Sequence, residues 1–196
     1  PLFIESERLA PFNPRGSDVA VVLDLMIHDI DLVLTLTRAK VTDVSAAGVG
    51  VLTPSVDIAD ARIGFANGAI ANITASRISR DRTRKLRLFQ RNGYMSLDLA
   101  AGNGELYRLR SDVDLAALAQ SAQPDILTFV ERIPLEAPEG DALRLELESF
   151  VAAVRGDAPV PVTGDDGRDA LAVALRIVAD IERSRAAMSA APIPGA

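Results

Sequence analysis

The chain has 196 residues, 48% hydrophobic and 24% charged, with 27 acidic side chains against 21 basic ones for a net charge of −6. That apolar content excludes a disordered chain, which cannot bury enough surface to offset its ordering entropy, and the acidic balance disfavours nucleic acid and anionic membranes as partners. No cysteine and a single histidine, His28, exclude disulfide scaffolds, thiolate nucleophiles and multi-His zinc sites, so no metal is expected.

Residues 1–17 read as extended and turn-rich, with Pro11, Pro14 and Gly16 breaking any helix. From about Val19 to Arg38 the length of the apolar run predicts a helix rather than a strand. It does not predict a membrane span, because Asp24, His28, Asp29 and Asp31 interrupt it; a cytoplasmic protein is expected. A strand region follows. DIADARIGFA and AIANITAS flank Asn67-Gly68, and RKLRLFQR and YMSLDL flank Asn92-Gly93. Asn-Gly supplies the positive φ angles of a two-residue turn, so two hairpins in an antiparallel meander are expected.

Residues 111–125 read as a mobile or partly helical loop, and ILTFVERI (126–133) as a further strand. Two amphipathic helices close the chain. The first runs from about Glu139 to Arg155 with Leu143, Leu147, Phe150, Val151 and Val154 on one face and Gly156 just past its end. The second starts after Thr163, an N-cap candidate followed by Asp165 and Asp166, and continues past Leu171, Leu175, Val178 and Ile181. The expected architecture is one α+β domain over 1–196, an open, predominantly antiparallel or mixed sheet with helices on one face.

The helix VVLDLMIHDIDLVLTL (21–36) carries the candidate chemistry. At about 100° per residue, Asp24, His28, Asp31 and Thr35 share a stripe roughly 60° wide, with Asp29 off it. A helix apolar on its other sides should be buried, and buried carboxylates must be paired or face a wet cavity. The stripe is therefore expected to line a cleft or to satisfy itself. Histidine beside carboxylates suits proton transfer near neutrality, although a satisfied core histidine has the same spacing.

Residues 77–91 (RISRDRTRKLRLFQR) hold seven basic side chains and one acidic one. They are expected to form a solvated strand face or, alternatively, a site for a phosphate-bearing ligand. Gly48 and Gly50 lack the third glycine of a dinucleotide fingerprint. Gly164-Asp165-Asp166-Gly167 reads as a helix start. No GxSxG elbow accompanies His28, which argues against a hydrolase.

DLMIHDIDLVL resembles the signature helix of the glucose–fructose oxidoreductase / inositol dehydrogenase (Gfo/Idh/MocA) family, whose Asp-x-x-x-His is here Asp24 and His28, with Asp31 three residues on. ADARIGFANGAIANITASR is similar to the family's F-x-N-G strand pair, and FVAAVRGDAPVPVTGDDGRDALAVALRIVADIE to its closing helices. The resemblance spans most of residues 17–186. It implies a two-domain enzyme, an N-terminal Rossmann domain binding NAD or NADP followed by a substrate-binding domain; this chain would be the second part alone, and inactive alone. The start at Pro1 without an initiator methionine is in keeping with a fragment or a processed product.

By the same resemblance His28 takes the position of the catalytic acid/base and Asp24 that of its helical partner, while Asp31 matches a recurring position of substrate-side role. His28 would take a sugar hydroxyl proton as hydride leaves the same carbon for the nicotinamide. The Glu-Lys-Pro segment whose lysine assists relatives is absent. ERLAPFNPRGSDVAVVLDLMIHDIDL and TASRIS are most similar to relatives acting on UDP-N-acetylglucosamine-type sugars, which implies a nucleotide-sugar substrate with Arg15 or Arg77 meeting its diphosphate. The family also implies a homo-oligomer, dimer or tetramer, through the sheet face. The alternative is a non-catalytic oligomerisation or ligand-binding module.

Overall fold

Alternation in FIESERL puts Ile4, Ser6 and Arg8 on one face and Phe3, Glu5 and Glu7 on the other, and the segment forms the strand β1 (Phe3–Leu9). The computed structural model describes residues 1–16, 18–111, 129–138 and 140–190, with side chains as far as 186. β1 is more than the extended lead-in expected from sequence. It lies inside the sheet, parallel to β4 (Ile70–Ser76) and antiparallel to β5 (Thr83–Gln90). β2 (Val41–Val49) and β3 (Ile58–Phe65) extend the sheet past β4. On the other side follow β6 (Gly93–Asp98), β7 (Asn103–Leu109) and β8 (Val130–Glu136), giving the order β2-β3-β4-β1-β5-β6-β7-β8. Only the β1–β4 pair is parallel. This is the mixed, predominantly antiparallel α+β sheet expected.

One face of β1, β3 and β4 supplies Ile4, Ala59, Ala61, Ile63, Ala71, Ile73 and Ala75 to the core. The small alanines let two helices approach closely: α1 (Ile27–Thr37) through Ile30 and Val33, and α3 (Gly164–Ala190) through Val173, Ala174, Ile177 and Ile181. Asp180 fastens α3 to the sheet by accepting from the Ala46 N–H at 2.7 Å. Leu171 and Leu175, on the same helix, are exposed. The cap foreseen at Thr163 forms at the start of α3, and the structure makes it reciprocal: Thr163 Oγ1 accepts from the Asp166 N–H at 3.2 Å, and Asp166 Oδ2 accepts from the Thr163 N–H at 2.7 Å.

α2 (Ala142–Arg155) is capped by Asp141, whose side chain accepts from the Arg144 N–H, and ends at Gly156 in the left-handed region, φ 78°. None of its residues is buried, and the apolar face of Leu143, Leu147, Phe150 and Val154 faces outward. The loop expected at 111–125 falls almost wholly outside the described residues, as does the start of the strand expected at 126–133.

Both hairpins form, by other geometry than expected. In the β3–β4 connection only Gly68 has positive φ, 82°, while the Asn67 side chain accepts from the Ala69 N–H. In the second, Arg91 and Asn92 make the turn, and Gly93 already pairs with Gln90 in the ladder. No helix among the described residues is long and apolar enough to cross a membrane.

Candidate functional site

Helical structure begins one turn before α1, in a π-helical turn over Val22–Met26 where the Ile27 N–H bonds the Val22 carbonyl. A five-residue step is wider than an α turn, so the 100° phase does not hold between Asp24 and His28. The expected stripe divides accordingly. Asp24 is half-buried and lines a cleft of about 350 Å³ with the Pro11–Gly16 loop. His28 is exposed and makes no hydrogen bond within the described residues. Asp31 and Thr35 border a separate groove of about 730 Å³ between the end of α1 and α3, with Arg38, Lys40, Asp169 and Arg176. Asp24 and His28 are neighbours along the helix but not hydrogen-bonded partners.

The buried carboxylate of this helix is Asp29, which helical spacing alone places off the stripe. Ser6 Oγ donates to its Oδ1 at 2.8 Å, Arg8 Nε to its Oδ2 at 2.5 Å and Arg8 Nη2 to its Oδ1 at 3.3 Å. A buried charge on each side is satisfied by the other, and α1 is fixed to β1. The period-2 alternation of β1, which aims Arg8 inward with Ile4, was the signal available in the sequence.

Arg77 is 3% exposed. Its Nη1 donates to the Gly16 carbonyl at 2.8 Å and its Nη2 to the Val56 carbonyl at 2.9 Å and to the Val19 carbonyl. Its Nε lies 3.3 Å from Asp57 Oδ1 as an ion pair rather than an aligned hydrogen bond. The guanidinium is thus occupied in holding the loop that precedes Asp24. Asp57, which no sequence pattern singled out, is wholly buried and accepts from the Val51, Leu52 and Thr53 N–H groups and the Thr53 hydroxyl. Burial pushes its carboxyl up, but those hydrogen bonds outweigh it and hold the pKa at about 2.

Arg15, exposed in the loop, and Arg82 and Arg84 complete the cleft lining. Arg84 sits directly opposite Arg8 in the β1–β5 ladder, an arrangement that is repulsive between like charges. Burial, then the Arg8 and Arg82 charges, hold the Arg84 guanidinium below its ordinary pKa, with Asp29 opposing them.

A dinucleotide would need a strand–glycine turn–helix start to cradle its phosphates. Gly48 and Gly50 do not supply one. A Cβ at Gly48 would lie 2.7 Å from Val56 Cγ1, and one at Gly50 2.4 Å from the Ser55 carbonyl oxygen, so both glycines serve close packing. Among the described residues no group of three His, Asp or Glu side chains is placed to hold a metal ion.

The GFO/IDH/MocA C-terminal domain matches residues 8–96. A UDP-N-acetylglucosamine 3-dehydrogenase of Acidithiobacillus ferrooxidans is 37% identical over 182 residues, 93% of this chain and 55% of the relative. Its crystal structure superposes with a TM-score of 0.80 over the same shares. An uncharacterized oxidoreductase of Bacillus subtilis is 28% identical over 155 residues, 76% of this chain and 42% of its own length. A levoglucosan dehydrogenase in complex with NADH, 15% identical, shares the fold with a TM-score of 0.72 over 93% of this chain and 56% of its own. The chain spans about half the length of the curated relatives it matches. Sheet and helices define an open-sheet α+β domain, the fold that it shares with these dehydrogenase structures. More particularly, the chain belongs to the GFO/IDH/MocA family, as its C-terminal domain.

Proposed function

We propose that residues 1–196 form one substrate-binding and proton-transfer domain of a cytoplasmic NAD(P)-dependent dehydrogenase acting on a sugar hydroxyl, with a nucleotide sugar of the UDP-N-acetylglucosamine kind as substrate. The observation that carries this is the placement of His28: exposed, without a hydrogen-bond partner among the described residues, one turn beyond a carboxylate that lines a cationic cleft. In this reading His28 is the acid/base at the reacting hydroxyl. The dinucleotide, held mainly by a separate N-terminal domain, accepts hydride from the same carbon. This chain's part is to hold the sugar and to move the proton. Asp24 faces the substrate side of the cleft, Arg15 meets the ligand from the loop, and Arg77 acts as a positioning residue through that loop. Asp31 borders the other groove, which leaves it a substrate contact only for a ligand reaching along the exposed side of α1. The name of the Acidithiobacillus relative supports the substrate class.

The test joins the chain to its dinucleotide-binding half and follows NAD(P)H formation from UDP-N-acetylglucosamine. His28→Ala is expected to lower turnover by about 10²–10⁴ at saturating substrate and cofactor. Undiminished turnover would remove His28 from the chemistry.

A second reading, an oligomerisation module, is favoured by one observation. Phe3, Phe89, Tyr94 and Tyr107 form a row across four strands, with ring centroids 5.7, 4.7 and 5.9 Å apart, on the sheet face opposite the helices. Such a row suits sheet-on-sheet packing between copies.

A further inference from the structure

The basic run of residues 77–91 does not form one solvated face. Arg77 is buried and occupied by carbonyls. Lys85 and Arg87 alternate onto the face away from the helices, where Glu5 meets Arg87 at 3.1 Å. Of the other four, Arg82 and Arg84 lie on the rim of the cleft that Asp24 lines, with Arg15 also in that lining, and Arg80 and Arg91 do not line it. None of the three guanidinium groups has a hydrogen-bond or ion-pair partner among the described residues, and Arg84 faces Arg8 across the ladder. With Arg8 paired to Asp29 and Arg77 to Asp57, Asp24 is the one carboxylate in the described lining, against three cations that lack an ion-pair partner. On that count the described lining is positive by two charges.

We propose that this cleft takes the diphosphate of the nucleotide-linked substrate, gripped by Arg82 and Arg84 from the sheet side and by Arg15 from the loop. The doubly charged diphosphate diester matches the excess. Guanidinium forks suit phosphate oxygens, and the walls of Leu9, Ala10 and Pro11 reduce screening by water. Asp24 shares the cleft and His28 follows one turn on, so a diphosphate here leaves its sugar beside the proton-transfer residue. The choice of ligand rests on the nucleotide-sugar reading above. The site itself rests on the arginines.

Isothermal titration on the protein carrying its dinucleotide-binding half separates the two. UDP, UDP-N-acetylglucosamine, inorganic pyrophosphate and NADH are titrated into wild type, Arg82→Gln/Arg84→Gln and Arg82→Lys/Arg84→Lys. Affinity for UDP and its sugar is expected to fall about ten- to a hundredfold in the Gln pair, to recover in part in the Lys pair, and to weaken with salt; NADH is expected to bind all three alike. Equal UDP affinity in wild type and the Gln pair overturns the site while leaving the nucleotide-sugar reading intact. Arginine-dependent binding of pyrophosphate without any of UDP keeps the phosphate site and overturns the reading. Loss of NADH rather than UDP affinity assigns the cleft to the dinucleotide and overturns the proposal, as does failure of wild type to bind any phosphate ligand. Should the Gln pair fail to fold, Arg82→Gln alone, at an exposed position before β5, decides the same outcomes.

Discussion

Arg8 on β1 and Asp29 on α1 make a two-pronged buried ion pair, Nε to Oδ2 at 2.5 Å and Nη2 to Oδ1 at 3.3 Å, with both side chains at most a tenth exposed. The pair ties the helix bearing Asp24 and His28 to the strand that leads into the cleft. It sets which side of α1 faces inward, and leaves His28 outward.

Removing one partner alone is therefore costly. Asp29→Ala strands a buried guanidinium and is expected to lower stability by about 3–5 kcal/mol. Replacing both residues, Arg8→Met with Asp29→Leu, is expected to cost markedly less, since no charge is then left without a partner. Urea denaturation of wild type and the two variants checks this. A double variant less stable than Asp29→Ala would contradict it.

Asp57 gives the fold an acid limb with a definite sign. Its folded pKa of about 2 lies below the ordinary 3.8, so its contribution, on the order of 2 kcal/mol, is complete above the ordinary value and is lost as pH falls through about 2. The gap in denaturation midpoint between wild type and Asp57→Asn is expected to be widest at pH 5–7 and to narrow towards pH 2. A gap constant across that range would place the stabilisation elsewhere than in the carboxylate charge.

The parts legible in the sequence were those with local causes. The Thr163–Asp166 cap, the Gly156 helix end and the two strand pairs each depend on residues a few positions apart. What was not legible depends on distant partners. β1 is internal because it pairs with β4, remote in sequence, and Asp57 matters because Arg77 and a folded loop converge on it. The candidate site was half legible. The residues of the 21–36 helix were found, but the π turn at Val22–Met26 shifts their phase, and a wheel at constant pitch cannot show that.

The two Asn-Gly pairs predict different tolerances at their glycines. Gly68 has φ 82°, and a Cβ there would meet nothing within 4 Å, so only backbone strain opposes a side chain. Gly68→Ala should cost about 1 kcal/mol and Gly68→Asn less, because Asn tolerates the left-handed region. At Gly93 a Cβ would lie 2.8 Å from the Tyr107 carbonyl oxygen. Here Ala and Asn should be comparably damaging, about 1–3 kcal/mol, because strands must separate. Thermal melts of the four variants decide it, and a Gly93→Asn protein as stable as wild type would refute the steric account.

The separation of Asp24 from His28 gives the two residues separable effects on turnover. Were the two a hydrogen-bonded dyad, loss of either would damage the same step, and their effects would not add. Asp24 instead opposes the arginines of the cleft, while His28 lies outside its lining and has no hydrogen-bond partner among the described residues. His28→Ala is expected to lower kcat by about 10²–10⁴ with little change in KM. Asp24→Asn removes the single carboxylate among the cleft's cations, so KM for a diphosphate-bearing sugar should fall while kcat changes far less. Steady-state kinetics of the single and double variants, on the chain joined to the proposed dinucleotide-binding half, measure both. Near-additive effects in the double variant fit two separate roles; a kcat loss in Asp24→Asn as large as that in His28→Ala would restore the dyad.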